Sequence, residues 1–107
     1  MDVERLIRTL SDSEDLAPFR ALVEPLVEHD RARGSDLVKT LRTFFAAGAN
    51  ASEAADRLFL HRNSMTYRLE RIGKLTGLDL RKPGVALALQ LGLLSLQRGE
   101  THEDEHP

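Results

Sequence analysis

Apolar and polar positions along the chain repeat with the period of helices, and no alternating run long enough to read as a strand occurs. In residues 2–10, Val3, Leu6, Ile7 and Leu10 recur at helical spacing. Ser11, Asp12 and Ser13 then read as a break. Residues 16–23 predict a short helix with Pro18 in its first turn, and residues 25–31 a second one, because proline is accepted at the start of a helix but breaks its interior. Gly34 ends it, and Ser35 or Asp36 is the expected cap of the next helix, residues 37–47, with Leu37, Val38, Leu41, Phe44 and Phe45 on its apolar stripe. Gly48 stops that helix. Asn50 or Ser52 caps a short helix at 53–58, a further helix spans 63–75 and ends at Gly77, and Pro83 opens a last one to about Gln97. This last segment is apolar almost all round, which predicts a helix buried on several sides or facing a second subunit. The expected fold is all-α, a small bundle of six or seven helices, the first of them loosely attached.

Within it, 52–69 has the spacing of a helix-turn-helix. Two short helices that cross steeply need a small residue where they touch, here Ala55 with Ala54 beside it. They also need an apolar plug in the turn, Leu60, and anchors further on, Met65 and Leu69, with Leu58 completing the small core. Phe59 occupies the turn position that such motifs often give to glycine, so the turn is made without a left-handed glycine or with strain. On the second helix Met65, Leu69 and Ile72 share one side, with Arg68 at its margin. Asn63, Tyr67, Glu70, Arg71 and Lys74 share the other, with Thr66 on the flank, and His61 and Arg62 stand at the helix entrance. Amides, hydroxyls and guanidinium groups are the types that contact base edges and phosphates.

Charge sharpens this reading. The chain of 107 residues has a net charge of −2, which alone argues against a nucleic-acid partner. The average conceals a segregation: residues 57–82 net +5, whereas residues 1–36 net −4. The absence of cysteine excludes disulfides, thiolate zinc sites and a cysteine nucleophile, and suits a cytoplasmic protein. No apolar run approaches the roughly 18 residues of a membrane span, and no secretory signal opens the chain. No glycine-rich phosphate loop, nucleophile–base pair or cluster of metal ligands suggests an enzyme, a cofactor or a metal; His102 and His106 lie among acidic residues in a tail, 99–107, expected to be disordered.

Several residues carry a bland reading beside the functional one. Asn63 could cap its helix, and Tyr67 could pack on a neighbour. His61 reads as a turn cap before a base reader. Arg68 suggests an ion pair with Glu53 or Asp56, and Glu70 one with Arg71 or Lys74.

Asp30-Arg31-Ala32-Arg33-Gly34-Ser35 and Leu37-Val38-Lys39-Thr40-Leu41, followed by Ala54-Ala55, Leu58, His61-Arg62-Asn63-Ser64, Tyr67-Arg68-Leu69, Leu75-Thr76-Gly77 and Leu80, together resemble the C-terminal DNA-binding domain of PucR/CdaR-like transcriptional regulators. The resemblance runs from about Leu26 to Leu94. It departs at Ser64, where the family usually has threonine, and at Thr66, where arginine is common. It implies a cytoplasmic, sequence-specific binder of double-stranded DNA, working as a homodimer, with an upstream sensory domain missing from this chain. Residues 1–24 would then be a linker with lead-in helices, 25–98 the DNA-binding domain, and His61, Arg62, Asn63, Ser64, Thr66, Tyr67, Arg71 and Lys74 the candidate contacts. The competing reading is a helical interaction module that binds no DNA, with the last helix and the acidic N-terminal part as its surfaces.

Overall fold

The computed structural model describes residues 1–104, and side-chain surroundings as far as residue 97. Among these residues the chain forms six α-helices and no strand: α1 Val3–Ser11, α2 Ala17–Arg33, α3 Leu37–Ala46, α4 Ala51–Arg57, α5 Arg62–Thr76 and α6 Pro83–Asp104, with a 3-10 turn at Glu14–Leu16. No helix of the described residues is long and apolar enough to cross a membrane.

The two short helices expected at 16–23 and 25–31 are one continuous helix, with Pro18 in its first turn and Pro25 in its interior. An interior proline costs roughly 3 kcal/mol, since it removes one N–H and crowds a carbonyl one turn back. Two facts offset that cost. Val23 and Leu26 are fully buried on either side of Pro25, each worth about 1.5–3 kcal/mol of burial. The carbonyl that loses its donor belongs to Ala21, which is exposed to water.

The core is the layer between α2 and α6, closed by α3 and α5: Val23, Leu26, Leu41, Met65, Ile72 and Leu89 are its best-buried side chains. Gly92 sets the approach of α6 to α2. A Cβ at that position would stand 2.5 Å from the Phe19 carbonyl oxygen and 3.2 Å from the Val23 side chain, so the two backbones touch where only hydrogen fits. The apolar surplus of α6 is thus covered on several sides, by α2, α1 and α3, although Leu87 remains exposed. The helix runs past Gln97 to Asp104. The tail expected to be disordered, with His102 and His106, lies outside the residues whose side chains are described.

α1 rests against α6, yet its apolar stripe stays open: Val3, Leu6, Ile7 and Leu10 are 59%, 56%, 45% and 42% exposed.

The junction between α2 and α3 is built on one carboxylate. Gly34 ends α2 in the left-handed conformation, φ 63°, and turns the chain back. Asp30 then accepts from the backbone N–H of Leu37 (2.8 Å) and Val38 (3.0 Å) and from the Ser35 hydroxyl. The cap of α3 therefore comes from the preceding helix, not from the side chain of Ser35 or Asp36. With its hydrogen committed to Asp30, the Ser35 hydroxyl offers its oxygen to His29 Nδ1, 2.8 Å away.

Candidate nucleic-acid interface

The segment α4–turn–α5 has the geometry its spacing predicts. Asn50 caps α4, accepting from Glu53 N–H at 3.0 Å. Ala54 and Ala55 are buried where α4 meets its neighbours. The helix ends in a Schellman motif: Leu60 N–H donates to Ala55 O (2.9 Å) and Phe59 N–H to Asp56 O (3.2 Å). That motif needs a left-handed residue at its corner, and Phe59 takes the role at φ 56°. Of the two alternatives at this position, the strained turn is the one present. The Phe59 ring is 96% exposed and gains no packing in return. Leu60 turns inward, half-buried against the core. His61 then caps α5, its Nδ1 accepting from Asn63 N–H at 3.1 Å, so the capping role belongs to His61 and the Asn63 side chain is left exposed.

α5 is anchored by Met65 and Ile72, which are 1% and 0% exposed, with Leu69 half-buried beside them. The opposite side is open. His61, Arg62, Asn63, Ser64, Thr66, Tyr67 and Lys74 are exposed, and Arg71 is half-buried on the flank. Tyr67 does not pack over a neighbour; 66% of it faces solvent. All eight candidate contacts thus lie on or beside one surface of one helix.

Two pairings expected from spacing differ. Arg68 does not meet Glu53 or Asp56. Its Nη1 donates to Thr40 Oγ1 at 3.1 Å, across to α3. Thr40 is fully buried, and its own hydroxyl donates to Asp36 O at 2.7 Å, leaving a lone pair for Arg68. Glu53 is occupied by Arg57 at 3.0 Å, one turn along the same helix, which is why it is not available to Arg68. Glu70 forms no ion pair with Arg71 or Lys74 among the described residues. Adjacent side chains diverge on a helix, and an exposed pair one turn apart gains too little to hold two long side chains in place.

These pairings sort the basic residues of 57–82. Arg57 is tied to Glu53 and Arg68 to Thr40. Arg81 grips Asp79 through Nε and Nη2, both at 3.1 Å. The hydrogen bonds from Arg81 hold the Asp79 carboxyl below its ordinary value, and Asp79 raises Arg81 in turn. Arg62, Arg71, Lys74 and Lys82 remain without a carboxylate partner among the described residues, and the first three of them are on α5.

Grooves run along both flanks of α5. Against the α2–α3 junction lies one of about 580 Å³, lined by His29, Arg33, Ser35, Tyr67, Arg68 and Arg71 among others. Against α4 lies a smaller one, where Asp56 faces His61, Arg62 and Asn63. Arg33 has no site role in the sequence pattern, because 32 residues, with α3 and α4 among them, lie between it and Thr66. The charge count pointed away from it, since residues 1–36 net −4.

Comparison with known proteins agrees with this geometry. The family model of the PucR C-terminal helix-turn-helix domain matches residues 37–95. The chain is 37% identical, over 86% of its length, to the purine catabolism regulatory protein of Bacillus subtilis. It is 28% identical over 81% of its length to the proline-responsive transcriptional activator PutR of the same organism. Over 41% of its length it is 46% identical to the carbohydrate diacid regulator of Escherichia coli. It spans 17%, 20% and 11% of the lengths of these relatives. No solved structure gives a significant match.

Proposed function

This chain belongs to the family of PucR C-terminal helix-turn-helix domains, and from that premise we propose that it binds double-stranded DNA with α5 in the major groove, as the DNA-binding part of a cytoplasmic transcriptional regulator. One observation carries the reading: a helix anchored by Met65 and Ile72 turns a face of hydroxyl, amide and unpaired cationic groups to solvent. In this reading Arg62, Arg71 and Lys74 hold phosphates and set the register. Asn63, Ser64, Thr66 and Tyr67 face base edges, and His61 orders the first turn that presents them. The domain has no catalytic role.

A single small domain reaches few phosphates, so we place it in a homodimer reading two half-sites about 34 Å apart. The open stripe of α1 supplies apolar area for a second copy, which makes α1 a better candidate surface than the largely covered α6. The relatives that the chain matches are far longer, and in this proposal the rest of such a protein holds the sensory domain.

The test is a titration of the chain against duplexes selected from a random pool, repeated at two salt concentrations. Three unpaired cations on α5 predict a log–log salt slope of about −3 per copy. A slope near zero, or no bound duplex at all beside a stable oligomer, would favour the interaction-module reading instead.

A further inference from the structure

We propose that the groove between the α2–α3 junction and α5 seats one backbone phosphate of the bound duplex, with Arg33 closing on it from one wall and Arg71 from the other. The proposal rests on the reading that α5 enters the major groove. It adds a contact outside the helix-turn-helix and outside the residues, 37–95, that define the family match.

The two arginines line the same groove from different helices. Neither has a carboxylate within ion-pair distance among the described residues, whereas Arg20, Arg57 and Arg81 each do. Of the two acids three positions from Arg33, Asp30 and Asp36, the first is turned away: its oxygens are filled by Leu37 N–H, Val38 N–H and the Ser35 hydroxyl. That same capping consumes two of the amides at the start of α3, so an anion in this groove would be held by side chains rather than by the helix end. Asp36 alone among the groove-lining residues carries a negative charge, set against Arg33, Arg68 and Arg71.

The walls are also fixed relative to each other. Asp30 ties α3 to α2, and Arg68 ties α5 to Thr40 of α3. A helix lying in a major groove about 12 Å wide has a phosphate strand along each flank. Of the two flanks of α5, this one sets three arginines against Asp36, while the other sets Arg62 against Asp56.

The experiment measures fluorescence anisotropy of a labelled mixed-sequence duplex with the full chain across a salt series. It compares the unaltered protein with Arg33→Gln, Arg71→Gln, the double variant and Arg33→Lys. Each glutamine variant should weaken binding on all sequences alike. The remaining arginine still neutralises the shared phosphate, so the salt slope should fall by roughly 0.9, the share of one phosphate, only in the double variant. Arg33→Lys should keep both affinity and slope. An Arg33→Gln affinity equal to that of the unaltered protein overturns the proposal, as does a double variant that loses two phosphates' worth. If the unaltered protein shows no salt-dependent binding, the DNA reading itself fails first. A parallel titration with inorganic phosphate follows the amide resonances of Gly34 and Ser35. Phosphate binding there with no effect of Arg33→Gln on the duplex would mark a free-anion site and overturn the proposal.

Discussion

The two flanks of α5 are held by different physics. On the α2–α3 side the helix is latched by polar contacts between residues far apart in sequence: Arg68 reaches Thr40, 28 positions earlier, and Asp30 fixes the start of the helix that carries Thr40. On the α4 side it is held by a local turn whose corner residue, Phe59, sits in a left-handed conformation that a Cβ disfavours. One side is a satisfied network and the other a strained hinge. The orientation of the helix follows from both, so perturbing each side should have opposite signs.

Breaking the network at its root has the largest expected effect. Asp30→Ala leaves the Leu37 and Val38 amides and the Ser35 hydroxyl without their acceptor. Hydrogen bonds to a charged group contribute roughly 1.5–3 kcal/mol, and loss of a helix cap costs about 1 kcal/mol, so a destabilisation of about 2 kcal/mol is expected. For a domain of this size that lowers the thermal midpoint by roughly 8–16 °C, which circular dichroism would register directly. Asp30→Asn, which keeps one acceptor oxygen, should recover part of the loss.

The next effect concerns the latch itself. Thr40→Val removes the acceptor for a half-buried guanidinium, and Arg68→Met removes the guanidinium while keeping an apolar stem. Each should cost about 1–2 kcal/mol. Because the two groups meet, a double-mutant cycle should give a coupling of roughly 0.5–1.5 kcal/mol in chemical denaturation. Strict additivity would mean that the contact holds nothing in place.

Much of this contrast was legible in the sequence on the strained side and little of it on the latched side. Local patterns carry local information: Gly34, Gly48 and Gly77 mark helix ends, and Ala54-Ala55 with Leu60 and Met65 mark the crossing of two helices. At Phe59 the absence of glycine left two outcomes, a turn without a left-handed glycine or a strained one, and the structure has Phe59 itself at φ 56°. Asp30 and Arg68 could not be read the same way. A carboxylate that caps the following helix looks, in sequence, like any charge in the last turn of its own helix. Arg68 stands one turn from candidate acids on α4 in an idealised drawing, and only the packed fold shows that Glu53 is taken and Thr40 is near. Pro25 misled for a related reason: local propensity argued for a break, and burial of Val23 and Leu26 against α6 overrode it.

The strained side gives a prediction of the opposite sign. The corner after α3 has the same hydrogen-bond pattern as the turn after α4, Ala49 N–H to Phe44 O and Gly48 N–H to Phe45 O, but places glycine where the other has Phe59. Phe59→Gly should therefore stabilise by about 0.5–1 kcal/mol, the relief of a left-handed penalty less the extra freedom of the unfolded chain. Gly48→Ala should cost about 1 kcal/mol, a purely conformational penalty, because a Cβ at Gly48 would meet nothing within 4 Å. Urea midpoints of the two variants, taken together, compare the turn before α5 with a corner of the same fold in which glycine takes that position and Ala49 follows it at φ 61°.

The smallest effect lies at the centre of the outer face, where the two flanks meet. Glu70 is exposed on α5 and held by neither Arg71 nor Lys74 among the described residues. In the free protein it interacts mainly with water, so Glu70→Gln should leave stability within about 0.5 kcal/mol of the original. Near a duplex the same carboxylate opposes the phosphates, and its removal should tighten binding to mixed-sequence DNA by roughly two- to fivefold at low salt, with the gain shrinking as salt screens it. On a selected duplex the outcome discriminates further. If Glu70 accepts a hydrogen bond from a cytosine amino group, the substitution should weaken that one sequence while still strengthening the others. A uniform gain on every duplex would show that Glu70 serves only to restrain non-specific binding, leaving sequence choice to Asn63, Ser64, Thr66 and Tyr67.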